Sequence, residues 1–231
     1  MEALTGWSDD YFWVSLFLLD VSVVALVMML LFGLMRAAAK LSNNRIAHYL
    51  ADAYTVVFRG TPEILVLMLI YYGSAIFLTS LFQSFDSSVK FVDSPPFWAG
   101  PFCIALPVGS YATHTSFGAF IGVHPGLIEA SKALALSDFH TSIYVRVPEM
   151  WRLALPAFGN HMLSLIKDTA LISIIGLNET LFAAEQAIGT TGKPFTMYIV
   201  VGCIYLSFST IITLTVMMME KSANRHLEQA R

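Results

Sequence analysis

Four ionisable residues lie inside long apolar stretches: Asp20, His161, Lys167 and Asp168. A charge at mid-bilayer depth costs at least ~2.5–3.5 kcal/mol, so each such residue needs a physical reason to be there. A carboxylate such as Asp20 can bind a guanidinium or α-ammonium group on a passing solute, or it can hydrogen-bond a neighbouring helix. Lys167 can meet a solute carboxylate, or the acids and carbonyls of a helix bundle. Lys167 and Asp168 are adjacent, and adjacent residues on a helix do not face each other, so they need not pair. His161 either lines the same path or sits as a satisfied interior histidine. These four residues form the candidate substrate path. Bond-breaking chemistry has no comparable support: there is no HExxH, GxSxG or CxxC pattern, and neither a catalytic residue nor a metal ligand is expected. Gly192-Lys193 imitates part of a phosphate-binding loop. That motif needs Gly where Ala187 stands and Ser or Thr where Pro194 stands.

The elements that must position these groups are membrane helices. Of 231 residues, 56% are hydrophobic and 13% charged, against roughly 25% charged in soluble domains. The mean hydropathy is +0.67. A net charge of −3 offers no basic surface for nucleic acid. Cys103 and Cys203 both fall in apolar runs and read as buried free thiols. A span needs about 20 mostly apolar residues. Five stretches qualify, at about 12–35, 64–82, 97–120, 153–177 and 196–219. The expected fold is therefore an all-α integral membrane protein with five transmembrane helices and a single domain over 1–231. Basic residues set the orientation. Arg36, Lys40, Arg45 and Arg59 follow the first span; Lys132, Arg146 and Arg152 follow the third; Lys221, Arg225 and Arg231 follow the fifth. Lys90 and Lys193 stand alone on the other side. This places the N-terminus outside and the C-terminus in the cytoplasm. A weakly amphipathic stretch at 41–58 precedes the second span, either on the inner membrane surface or as an extension of that helix.

The cytoplasmic loop at 122–152 carries the densest pattern. A short helix is expected to open at Pro125 and to run through Glu129, Ala130 and Ala133. Pro148 is expected to break any helix that reaches it.

The run Glu129-Ala130-Ser131, then Leu136, then Val145-Arg146-Val147-Pro148 resembles the EAA loop of ABC importer permeases. More narrowly, the chain is similar to the polar amino-acid permeases, including the histidine/lysine–arginine–ornithine, octopine and nopaline types. The residues carrying that likeness are Lys40-Leu41-Ser42-Asn43-Asn44-Arg45, Arg59-Gly60-Thr61-Pro62, Tyr71-Tyr72-Gly73, Gly109-Ser110-Tyr111, Ala154-Leu155-Pro156, the stretch from Leu165 to Leu171, and Ile204-Tyr205-Leu206. The pattern departs from the family at Ala135, where Gly is usual, at Ser131, where Ala is common, and at His114 and Phe117.

The resemblance implies a type I ABC importer permease fold in the bacterial inner membrane, working by alternating access. It implies ATPase coupling through Gly126, Glu129, Ala130, Ser131, Ala135 and Pro148. ATP and Mg would sit on a partner ATPase pair, with no cofactor in this chain. A periplasmic solute-binding protein would deliver the solute, a polar amino acid of basic or opine kind. Five spans are too few to enclose a gated pathway, so a second permease subunit is expected, with a heterodimer favoured. The competing reading is an ATP-independent channel or carrier, which leaves the EAA-like loop without a purpose.

Overall fold

The computed structural model describes residues 6–41, 44–92 and 96–228. Ser42, Asn43 and Arg231, used above, lie outside the described residues. Among the described residues the chain is all-α. The helices are α1 (Ser8–Leu41), α2 (Arg45–Gly60), α3 (Glu63–Phe85), α4 (Pro96–Ile121), α5 (Pro125–Ala133), α6 (Asp138–Thr141), α7 (Val147–Asp168), α8 (Thr180–Thr191) and α9 (Pro194–Glu228).

Local chemistry explains several boundaries. Asp9 and Asp10 occupy the first turn of α1, where acids favour the positive helix end. The Asn44 side chain accepts from the Ile46 and Ala47 amides and so caps α2. Pro62, which cannot continue α2 as a hydrogen-bond donor, caps α3 instead. Gly176 and Gly192 take left-handed backbone, with φ of 81° and 66°, and end the segment before α8 and α8 itself.

α4 is the central helix and packs on α1, α2, α3 and α7. Between membrane helices lipid supplies no hydrophobic drive, so close packing relies on small residues. The contacts follow that rule. A Cβ on Gly33 of α1 would lie 2.8 Å from the Ala112 Cβ of α4, and one on Gly109 would lie 3.2 Å from the Phe32 Cβ. A Cβ on Gly159 of α7 would lie 2.6 Å from Val216 of α9. Leu18, Val21, Ala25 and Met29 form the fully buried stripe of α1.

α1, α3 and α9 are long and apolar enough to cross a membrane. The segment 138–175 and α8, which meet at 51°, make a fourth candidate if the bent pair is a single span. α4, at 26 residues, has the length of a span, but Pro101, Pro107, His114 and a run of Ser and Thr dilute its apolar character, and it is not among those candidates.

Four sequence readings change in detail. Pro148 does not break the helix. It sits in the first turn of α7, directly after a wide π-helical turn at Ser142–Arg146. That turn makes room for the proline ring and needs no proline N–H. The expected fourth span narrows to a 3-10 segment at Thr169–Ile175 before it ends. The stretch between the fourth and fifth expected spans folds into α8. Cys103 is buried as expected, but Cys203 is exposed on α9.

Candidate functional site

Two of the sequence-derived residues, His161 and Asp168, lie near the place where α2 gives way to α3. The break falls at Thr61 and Pro62, and Glu63 opens α3. Arg59, at the end of α2, lies with its guanidinium carbon 5.1 Å from the Tyr111 ring centroid. Tyr111 is ten residues before the end of α4, so Arg59 lies beside the body of the bundle and not in the inner loop where its charge was counted.

A cavity of about 220 Å³ opens here, lined by Glu63, Val108, Tyr111, His161 and Ser164. His161 Nε2 is 2.8 Å from Thr115 Oγ1, and its ring centroid is 6.3 Å from those of Tyr111 and Phe158. Glu63 also borders a tight gap shared with Cys103, Pro107 and Asp168. The Glu63 and Asp168 carboxyl groups adjoin and act on each other electrostatically. Asp168 Oδ2 is buried with no hydrogen-bond partner among the described residues.

The structure thus brings His161 and Asp168 to Glu63. It does not bring Lys167 or Asp20 there. Lys167 is exposed and lines a groove of about 420 Å³ with Ala170, Leu181, Val201 and Tyr205. Asp20 is exposed on α1, on a stripe with Trp13, Leu16, Val23 and Val27, which are exposed too. Lys167 and Asp168 point to different sides, as their adjacency on a helix requires.

Sequence reasoning missed Glu63 and Glu179. The signal for Glu63 was an acid directly after the Gly60-Thr61-Pro62 break. Glu179 is fully buried. It accepts from the Leu181 amide at 2.8 Å and from the Tyr205 hydroxyl at 3.0 Å, and Tyr205 lies 3.3 Å from Thr169 Oγ1. One carboxylate therefore ties the 3-10 segment, α8 and α9 together.

The loop at 122–152 forms a second site. The His124 side chain accepts from the Gly126 amide at 3.1 Å and caps α5; Pro125 follows at the first helical position. Glu129 and Ala130 are exposed, whereas Ser131 is buried. Ser131 Oγ donates to the Ile128 carbonyl at 2.7 Å. At the far end, the Leu136 amide donates to Ser131 O and the Ala135 amide to Lys132 O. This is the Schellman pattern, which places its C′ residue in left-handed backbone. Ala135 is that residue, with φ of 57°. The usual family Gly is explained by this backbone.

Around α5 the protein exposes Leu134 (76%), Phe139 (69%) and Tyr144 (70%). Behind them a groove of about 770 Å³ is lined by Leu127, Tyr144, Pro148, Arg152 and Met219, among others. Arg152 ties its floor together. Its Nε donates to Glu149 at 2.9 Å and its Nη1 to Asn224 Oδ1 of α9 at 3.1 Å. Arg146 lies 5.0 Å from the Phe120 ring at the end of α4. The ends of α4 and α9 and the start of α7 therefore gather beside the loop, and with them Arg146, Arg152, Lys221 and Arg225.

A model of the binding-protein-dependent transport system inner membrane component family matches residues 29–225. The chain belongs to this family. As a permease it shares 34% identity over 220 residues with the nopaline transport system permease protein NocQ of Agrobacterium fabrum strain C58, covering 95% of this chain and 93% of that one. It is 34% identical over 218 residues to the histidine/lysine/arginine/ornithine transport system permease protein HisQ of Salmonella typhimurium, covering 94% and 95%. It is 35% identical over 196 residues to the arginine permease ArtQ of Escherichia coli K12, covering 80% and 82%. Among solved structures, an amino acid ABC transporter crystallised with histidines superposes with a TM-score of 0.80 at 25% identity, covering 95% of this permease and 96% of that chain. The methionine transporter MetNI superposes with a TM-score of 0.67 at 16% identity, covering 93% and 94%, which shows the shared type I importer fold. The permease is an inner-membrane component of an ABC transport system.

Proposed function

We propose that this permease forms one transmembrane half of an ATP-driven importer for a polar amino acid, of the basic or opine kind that the names of its relatives describe. The whole chain acts as one transmembrane domain of five spans, with its N-terminus outside and its C-terminus in the cytoplasm. The relative position of α5 and the ends of α4, α7 and α9 supports this reading, because those basic ends share the side from which α5 projects.

In this reading α5 is the coupling helix. Gly126 and Pro125 start it, Glu129 and Ala130 face the partner, and Ser131 and Ala135 hold its shape. Pro148 marks the point where the loop joins α7 and passes movement into the membrane. The partner is a pair of ATPase subunits that hold ATP and Mg. A second permease subunit, in a heterodimer, completes the pathway, and a periplasmic binding protein supplies the solute. His161, Lys167, Asp168 and Asp20 remain the candidate path residues, with Glu63 added to them.

The observation that carries the reading is the exposed α5 with its apolar surround, Leu134, Phe139 and Tyr144. Such a surface, together with family membership, calls for a docked cytoplasmic partner. The test is co-purification with the ATPase and second permease encoded beside this chain, followed by the mass of the solubilised complex. A mass of two permeases plus two ATPases supports the importer. A lone chain that never retains the ATPase supports the channel or carrier reading.

A further inference from the structure

We propose that the groove between α7, α8 and α9 seats the second permease subunit, and that this subunit presents a carboxylate to Lys167 there. The proposal rests on the importer reading and names the face through which its two membrane subunits meet.

Three observations carry it. First, Lys167 is exposed, and no hydrogen bond or ion pair holds its ammonium among the described residues. It acts electrostatically on Asp168 beside it. Asp168, however, borders the tight gap with Glu63 and Cys103, whereas Lys167 lines the groove. Second, the groove, of about 420 Å³, has no acid in its lining, which includes Ala170, Leu181, Gly202, Tyr205 and Ser209. Third, α9 is the least covered of the three long apolar helices: 11% of its most apolar stretch is buried, against 28% in α1 and in α3. A Cβ on Gly202 would meet nothing within 4 Å, so the groove side of α9 is open.

The depth of the groove selects the occupant. After Asp168 the chain continues away from the loop at 122–152 as the 3-10 segment Thr169–Ile175, about 14 Å long at 2.0 Å per residue. A lysine side chain is too short to carry its ammonium past that segment to the headgroups. An ammonium left in hydrocarbon is costly, so lysines at this depth pair with other groups. Lipid tails offer no carboxylate. An ATPase on α5 and a binding protein at the outer ends both lie beyond reach. A helix of another membrane subunit reaches the groove, and Ala170 and Gly202 let its backbone come close.

A second copy of this chain fits poorly. A two-fold pair meets through the same patch on both sides. That would set Lys167 against Lys167 in a groove without an acid. A distinct subunit with a carboxylate at that point removes the repulsion and gives the ammonium a charged acceptor. Lys167 then belongs to the seam between subunits, with a fixed partner in place of a passing solute.

The test uses the full complex, purified from bacterial membranes with its ATPase and second permease. A photo-reactive benzophenone side chain is placed at Gly202 or, as the control, at Ile211, which is exposed on the opposite side of α9. Position 202 is expected to crosslink to the second permease with at least about tenfold the yield of position 211. Lys167→Arg should keep the second permease in the complex, and Lys167→Glu should cut its recovery by about tenfold. The melting temperature of each variant chain shows that it still folds. Crosslinking from position 202 to lipid alone, or to a second copy of this chain, overturns the proposal. Full recovery of the second permease with Lys167→Glu does the same. The mass of the wild-type complex separates the two failures. Two permeases and two ATPases without the crosslink sink only this face, and a lone chain sinks the importer reading beneath it.

Discussion

Ser131 Oγ lies 3.0 Å from Thr141 Oγ1, and both side chains are buried at the base of the loop at 122–152. This contact joins α5 to α6 and so fixes the angle at which α5 projects. Replacing Thr141 with Val keeps the volume and removes the hydroxyl. It should cost about 1 kcal/mol, the net worth of one hydrogen bond. Hydrogen-exchange mass spectrometry should then show protection within α5 falling by about fivefold, the equivalent of that energy, while α1 and α4 are unchanged. Unaltered protection in α5 would remove the contact from the account.

Ala135 is strained. A non-glycine residue in left-handed backbone costs roughly 1–2 kcal/mol, and its φ of 57° lies in that region. Ala135→Gly should therefore tighten the loop by about 1 kcal/mol, and Ala135→Val should loosen it. Limited proteolysis between Leu134 and Ser137 reads this, because cleavage tracks local opening. Faster cleavage in Ala135→Gly than in wild type would contradict the assignment.

Gly159 permits the closest approach of α7 to α9, with Val216 in the way of any side chain. Gly159→Ala should destabilise the detergent-solubilised protein by about 1–3 kcal/mol through overpacking. Adding Val216→Ala should recover most of that loss. Two thermal-unfolding shifts that simply add would show that the residues are not coupled.

Tyr205→Phe removes one of the donors to the buried Glu179. The carboxylate keeps the Leu181 amide but is otherwise poorer, at a cost of about 1–3 kcal/mol. Each kcal/mol corresponds to roughly 2–4 °C in a protein of this size, so differential scanning fluorimetry resolves it. A melting temperature equal to wild type would mean that the hydroxyl does not support Glu179.

How much of this was legible in the sequence depended on how local the physics was. The long apolar runs of α1, α3 and α9 carry their own signal, and so does the start of α5 at Pro125. The different directions of Lys167 and Asp168 follow from helical geometry alone. The significance of Glu63 did not follow. Its position after Pro62 was visible, but the depth of the α2–α3 break depends on α2 packing against α1 and α4, which is tertiary. Glu179 fell between the fourth and fifth expected spans because α8 is short. Only its burial against α9, through Ala183, Ala184 and Ala187, makes that carboxylate an interior group. Pro148 misled for a related reason: the π turn before it absorbs the ring, and no local signal announced the turn.

The most direct test of the coupling account is the ATPase rate of the reconstituted complex, with and without solute-loaded binding protein, in wild type and in Glu129→Lys. Glu129 is exposed on α5, so the substitution should leave insertion and the mass of the complex intact. The account predicts that wild type is stimulated and that Glu129→Lys loses about tenfold of that stimulation, or roughly 1.4 kcal/mol of coupling. Equal stimulation in the two proteins would contradict the assignment of α5 as the coupling helix.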